Sequence, residues 1–296
     1  MLKIIEGFMP FGGSQTYYRI AGDKTDRLPL LTFHGGPGAS HSYLLSLDDL
    51  AGRGRQVIYY DQTGCGKSPA PSDPGRWTPE LFVEEAQALQ KHLRLDEFHL
   101  LGQSWGGMLA IYFAHTRPKG LTSVTLASSP VSIPQWNEES ARLLSEMPEG
   151  PRAALEHGEA TGERDTQEYR DALDQFYLRH LCRMETMPDY VLASFAQMGE
   201  VYHTLQGDSE LRLTGTLKDV DLTPLLAGIG VPALITAGQY DQCTGAVVKT
   251  LLDHIPDARA VVFKDSGHLA HVEKREAYNR TLEAFLEEVE AKSTRP

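Results

Sequence analysis

Cysteine is scarce in this chain, with three in 296 residues, and the three (Cys65, Cys182 and Cys243) form no CxxC pair. An odd, scattered set is neither a disulfide framework nor a zinc site, and the expected compartment is a reducing cytoplasm. No HExxH or paired histidine spacing occurs among the eleven histidines, so no metal and no cofactor are implied. Long apolar runs are lacking too. None approaches the roughly 18 residues that a membrane span needs, and the start, MLKIIEGFMPFGG, does not set a basic segment before an apolar core, so no signal peptide is read. Basic residues are outnumbered, 28 Lys+Arg against 40 Asp+Glu, giving a net charge of −12. Such a chain repels phosphate, which excludes nucleic acid and anionic membrane surfaces as expected partners. Nothing in the sequence sets an oligomeric state.

What is present has the balance of an ordinary globular protein, 41% hydrophobic and 23% charged. Seven β-rich runs stand out: TYYRIAG, LLTFHGG, QVIYYDQ, FHLLGQS, LTSVTLAS, PALITAG and RAVVFKD. From residue 30 onward these runs are almost continuously apolar, the mark of strands buried on both faces of a parallel sheet. Helical patterns lie between them. TPELFVEEAQALQKHLRL starts on a threonine cap with an acidic first turn, and WGGMLAIYFAHTRP is stopped by Pro118. The last helix, roughly Lys274 to Lys292, sets Tyr278, Leu282, Phe285 and Val289 at helical spacing. Strands alternating with helices predict an open α/β sheet. Between about 132 and 221 the β-rich runs vanish in favour of acidic amphipathic segments. The sheet pattern resumes at Val231, which predicts a core in two parts, 1–131 and 222–296, with a helical cap inserted at 132–221.

The stretch HLLGQSWGG places Ser104 where a buried strand turns into a helix, with Gly102 and Gly106 around it. That is the G-x-S-x-G nucleophile elbow, in which the serine is held in strained backbone geometry above the carboxyl edge of the sheet. A serine hydroxyl needs a base, and the base needs an orienting group. With this elbow the chain order is Ser, then Asp or Glu, then His. ALITAG runs into Asp241 and RAVVFKD runs into His268, each at a strand end in that order. Asp265 and His271 compete for the same roles. Asp265 sits on the histidine's own strand end, and His271, three residues further on, is expected to face solvent or a helix neighbour.

An oxyanion needs two N–H donors. The Trp105 amide is one, at a helix start, and the glycine loop HGGPG after Phe33 supplies the other, assigned to Gly36. Gly35, in the same loop, is expected to border the substrate. His34 is expected to bond neighbouring backbone, and Asp61 to hold a structural turn.

HGGPG, YYDQTGCGKS, GQSWGG, AGQYD and DSGH together resemble the proline iminopeptidase family of α/β-hydrolases, along nearly the whole chain. The resemblance implies the α/β-hydrolase fold: a mostly parallel eight-stranded sheet, helices on both faces and an inserted cap. It implies a serine peptidase that releases an unblocked N-terminal residue, proline or small apolar, from short peptides through an acyl-enzyme. It also implies the triad Ser104, Asp241 and His268. Family members hold the substrate's free amino group with carboxylates. One family glutamate matches Glu210 in DSELRLTGT, where a solvated cap residue is the alternative; the other follows the catalytic Asp, where this chain has Gln242. The departure leaves open an amidase or esterase acting on amino acid amides or other small amides and esters. Epoxide hydrolases and dehalogenases of this fold carry Asp at the elbow, and Ser104 excludes their chemistry. A binding protein on the same scaffold would have a broken triad, and this one is complete. By the same resemblance Cys65 and Cys243 are placed near the site mouth, and Trp136, Phe176, Tyr177 and Tyr202 are candidates for an apolar slot or for cap core.

Overall fold

The computed structural model describes residues 2–209 and 211–293. Eight strands form one sheet: β1 (Ile4–Phe11), β2 (Ser14–Ala21), β3 (Leu30–Phe33), β4 (Val57–Tyr60), β5 (Phe98–Gln103), β6 (Leu121–Ala127), β7 (Ala233–Gly238) and β8 (Ala258–Phe263), in spatial order β1-β2-β4-β3-β5-β6-β7-β8. From β4 to β8 every neighbouring pair is parallel, while β1–β2 and β2–β4 are antiparallel. Strands β3 to β7 are buried along nearly their whole length, as their continuous apolar runs predict. Side chains alternate between two cores. Leu31, Phe33, Leu100 and Ile235 face one, completed by Phe82, Met108 and Val247 from the helices Pro79–His92, Trp105–His115 and Gly245–His254. Leu30, Leu101 and Leu234 face the other, where Tyr278, Leu282, Phe285 and Val289 of the helix Arg275–Ser293 pack.

Two strands differ from their sequence pattern. β1 is a strand without a strand-like sequence, because Gly7 and Pro10 interrupt it and Ile4, Ile5 and Phe8 stay exposed. It forms because Gly12 and Gly13, both at positive φ, make a tight hairpin turn onto β2. β8 reads as buried yet pairs only with β7, and Val262 remains 52% exposed at that edge.

Between β6 and β7 the described residues hold five α-helices, Ile133–Ser145, Glu149–Thr161, Gln167–His180, Asp189–Phe195 and Glu200–Leu205, followed by the 3-10 helix Thr223–Gly228. The excursion leaves and returns through one antiparallel bridge, Ser132 with Asp221, flanked by Ile133 N–H donating to the Val220 carbonyl and Leu222 N–H to that of Val131. Leu143, Leu155, Tyr169 and Phe176 give it a small core of its own. Among the described residues no helix is long and apolar enough to cross a membrane.

Under the sheet Glu85 is fully buried and holds Thr16 Oγ1 and the Thr63 N–H (2.9 Å). Burial pushes its carboxyl up to about 8, although both hydrogen bonds favour the charged form. The unfolded chain returns it to about 4.5. Between those two values the folded protein binds more protons than the unfolded one, so this group's contribution is full below about 4.5 and is lost as pH rises through 8. The contribution is on the order of a few kcal/mol. Glu85→Gln is expected to flatten the fall of Tm across that window, measured by thermal melts of both proteins. Parallel Tm–pH curves would show that Glu85 folds charged.

Candidate active site

The elbow forms because nothing but glycine fits beside it. A Cβ at Gly102 would collide with the Gly106 carbonyl oxygen, and one at Gly106 with that of Phe33. Ser104 itself sits at φ +56°, ψ −122°, a conformation that side chains rarely adopt. Its N–H donates to the Ala127 carbonyl (2.9 Å), and its own carbonyl accepts from Gly107 (2.8 Å), starting the helix that follows. Ser104 and His268 line one cavity of about 290 Å³ between the sheet edge and the inserted helices.

His268 follows β8, and Asp241 follows β7, as expected. His268 Nδ1 stands 2.7 Å from Asp241 Oδ1, which turns the opposite ring nitrogen toward the cavity. The carboxylate is buried and held by three further donors: Cys243 N–H (2.8 Å) on Oδ1, Ser128 Oγ (2.6 Å) and Gly238 N–H (3.1 Å) on Oδ2. A buried carboxylate is tolerable when its lone pairs are filled this way. The Trp136 ring, from the first inserted helix, lies edge-on to the imidazole at 5.8 Å. His268 N–H and Leu269 N–H donate to the carbonyls of His180 and Leu181, which fixes the loop from the side of the inserted helices.

Gly36 and Trp105 both line the cavity. Trp105 opens its helix, where first-turn N–H groups have no partner inside the helix. Gly35, expected to border substrate, lies instead behind the wall. Its N–H is spent on the Tyr43 hydroxyl (2.6 Å), and it packs against Gln103 and Ser104, so the next amide, that of Gly36, is the one the loop presents. Gln242 is buried and lines the cavity. Glu210 lies outside the described residues. Trp136, Tyr177 and Tyr202 line the cavity, whereas Phe176 is in the small core of the inserted helices.

The competing residues fall elsewhere. Asp265 is exposed at a turn with φ +51°, its N–H on Gln239 Oε1. Of the two places expected for His271, solvent or a helix neighbour, the structure shows the second, with Tyr278 of the helix Arg275–Ser293 against its ring. It is buried between Tyr43 and Tyr278, with Nε2 3.3 Å from the Tyr43 carbonyl, and burial pushes it down to about 3. A ring held neutral and away from the cavity cannot serve as the base. Asp61 closes a turn, accepting from the N–H groups of His41 (2.7 Å) and Lys67 (2.8 Å). Cys65 and Cys243 are buried and line no part of the cavity, contrary to the expectation of a place near its mouth. Burial pushes both thiols well above their ordinary range, and Cys182 to about 11. Thiol reagents therefore have no ready nucleophile here.

Sequence reasoning missed Ser128, which braces Asp241. Its only signal is its place just past β6, the strand beside β7. It also missed Gln206, a cavity residue whose Nε2 donates to the Ser209 carbonyl (3.0 Å).

A hydroxyl, an aspartate-braced imidazole and two N–H groups around one cavity are what acyl transfer requires. The family model described as alpha/beta hydrolase fold matches residues 29–275. A proline iminopeptidase of Lactobacillus helveticus (strain DPC 4571) is 41% identical over 291 residues, 97% of this chain and 99% of that one. One of Clostridioides difficile (strain 630) is 41% identical over 289 residues, 96% of this chain and 99% of that one. The crystal structure of a Mycobacterium smegmatis proline iminopeptidase superposes with a TM-score of 0.93 at 36% identity, covering 98% of this chain and 100% of that one. This chain belongs to the proline iminopeptidase family of α/β-hydrolases.

Proposed function

We propose that this protein is a serine aminopeptidase that releases an unblocked N-terminal residue, proline or a small apolar one, from short peptides. The observation that carries the reading is the strained Ser104 opening onto the same cavity as the Asp241-braced His268. His268 takes the Ser104 proton as Oγ attacks the carbonyl carbon. The oxyanion rests on the Gly36 and Trp105 amides, and the imidazole then protonates the leaving amine. Water activated by the same ring hydrolyses the acyl-enzyme. The relatives' name supports proline as the residue released, and the small cavity with Trp136, Tyr177 and Tyr202 on its wall suits a compact apolar ring. Residues 132–221 act as the cap that roofs the site, bounded by the Ser132–Asp221 bridge. Three free buried cysteines suit a reducing cytoplasm.

Glu210 and Gln242 are assigned to the substrate's α-amino group, Glu210 from its place before the Thr214-Gly215-Thr216 phrase and Gln242 from its place on the cavity wall. With an α-amino pKa near 8, that group enters largely as a cation and must replace its hydration. Free prolyl and alanyl arylamides are expected to outrun their N-acetylated forms by about ten- to hundredfold in kcat/KM, the worth of a charged hydrogen bond. Faster turnover of the blocked amides or of plain p-nitrophenyl esters would replace the aminopeptidase reading with the broader amidase or esterase one. Gln242→Glu restores a carboxylate and is expected to lower KM for free-amine substrates by about tenfold. An unchanged KM would place the amine elsewhere.

A further inference from the structure

Both residues that flank Ser104 reach the glycine loop through their side chains. Upstream, Gln103 Oε1 accepts from the Tyr43 hydroxyl (2.5 Å), whose oxygen in turn accepts the Gly35 N–H (2.6 Å). The other end of the same amide, Nε2, donates to the His268 carbonyl (3.2 Å). Downstream, Trp105 Nε1 donates to Gln62 Oε1 (2.9 Å), and Gln62 Nε2 donates to the His34 carbonyl (2.7 Å). The Gln62 main-chain N–H donates to His34 Nε2 (3.0 Å), which leaves the ring proton on Nδ1, 3.0 Å from the Gly35 carbonyl. Burial pushes the His34 imidazole down to about 4, so this neutral tautomer is held. Each glutamine has one end on a carbonyl, which only an NH₂ can approach, so the opposite oxygen must be the acceptor. All five side chains are buried.

We infer that Gln62 and the Tyr43–Gln103 pair are positioning residues that set the separation of the Gly36 and Trp105 amides and, through Gln103, tie that spacing to the loop of His268. The inference rests on the acyl-transfer reading above. One bridge grips the glycine loop at Gly35 and the other at His34, the two residues just before Gly36. On the elbow side they grip the residues on either side of the nucleophile. Such donors act by being in place before charge develops, and displacements of a fraction of an ångström weaken them. The substrate carbonyl is neutral in the ground state and gains less from the donors than the tetrahedral oxyanion does. A disturbed spacing therefore lowers kcat and spares KM.

Gln62→Leu and Tyr43→Phe each remove a bridge while keeping most of the bulk. The expected result is a kcat lower by about ten- to hundredfold, with KM within about threefold. Affinity for boroproline, whose tetrahedral serine adduct puts an oxygen at the oxyanion position, is expected to fall by the same factor as kcat. Trp105→Phe removes only the indole donor and keeps the main-chain one. It is expected to behave like Gln62→Leu, and the double variant Gln62→Leu/Trp105→Phe to be no worse than the poorer single. Trp105→Phe carries the test should Gln62→Leu fail to fold, as judged by its melting curve. Folded variants with kcat and boroproline affinity within twofold of the parent, or with the whole loss in KM, would overturn the inference. A parent protein that neither hydrolyses the arylamides nor reacts with a fluorophosphonate would instead remove the aminopeptidase reading itself.

Discussion

Ser104→Ala is expected to lower kcat for prolyl arylamides by about 10⁵- to 10⁶-fold, the scale on which losing a triad nucleophile is felt, and to abolish labelling by a fluorophosphonate probe. The variant keeps a Cβ at the same strained φ, so its fold is expected to survive, with a Tm close to the parent's. What is removed is only the Oγ proposed to form the acyl bond. Residual hydrolysis, from the oxyanion donors and binding alone, is expected at about 10³- to 10⁴-fold over the uncatalysed rate. Intact-mass analysis after the probe, read beside the rate, decides the matter. A Ser104→Ala protein that still gains the phosphonate mass has a different nucleophile.

Asp241→Asn is the second large effect, expected at about 10⁴-fold in kcat. The reason lies in the donors around the carboxylate. Oδ1 accepts from His268 Nδ1 and Cys243 N–H, while Oδ2 accepts from Ser128 Oγ and Gly238 N–H. An asparagine must point its NH₂ at one of these two sets. Facing the first set, it meets the Cys243 N–H and can bond the imidazole only if Nδ1 carries no proton, which is the wrong tautomer for a base. Facing the second, it opposes the Gly238 N–H, and only the Ser128 hydroxyl can turn to accept. Either way a buried donor loses its acceptor, at a cost of about 1–3 kcal/mol. So Asp241→Asn is expected to lower Tm as well as kcat, where Ser104→Ala lowers kcat alone. Ser128→Ala removes a single donor and is expected to show a much smaller loss of both kinds. An Asp241→Asn enzyme within tenfold of the parent would mean that another acid braces the histidine.

The placement of Ser104, Asp241 and His268 was legible because each stands at the end of a strand whose apolar run marks it, and because the order along the chain admits few alternatives. The same logic placed β3 to β7 and the helix carrying Tyr278, Leu282, Phe285 and Val289. It failed where an element owes its existence to a partner. β1 has no alternation of its own and is a strand because Gly12 and Gly13 fold it against β2. Gly35 was misplaced because nothing local says that its amide is already bonded to a tyrosine eight residues on. For His271, solvent and a helix neighbour were both open, and the choice between them depends on the helix Arg275–Ser293 packing back over the loop so that Tyr278 and Tyr43 bury the ring. The cysteines were set near the cavity because their motifs are, yet a side chain one residue from the site can point into the core. Side-chain-to-side-chain links across distant loops, such as Trp105 to Gln62, leave no periodic trace.

The inserted helical segment meets the histidine loop through main-chain atoms, the His180 and Leu181 carbonyls receiving the amides of His268 and Leu269. Peptide groups are common to every amino acid, so these two bonds do not themselves depend on a side chain, whereas Gly267 beside them has no room for a Cβ against the His180 carbonyl and the His180 ring bonds the Tyr240 carbonyl (2.8 Å). The two chain crossings of this segment also sit side by side, so a change in its length need not strain the sheet. On the proposed reading of these helices as a cap, their sequence can vary with the histidine loop still held, provided that the His180 and Leu181 carbonyls keep their register and position 267 stays glycine.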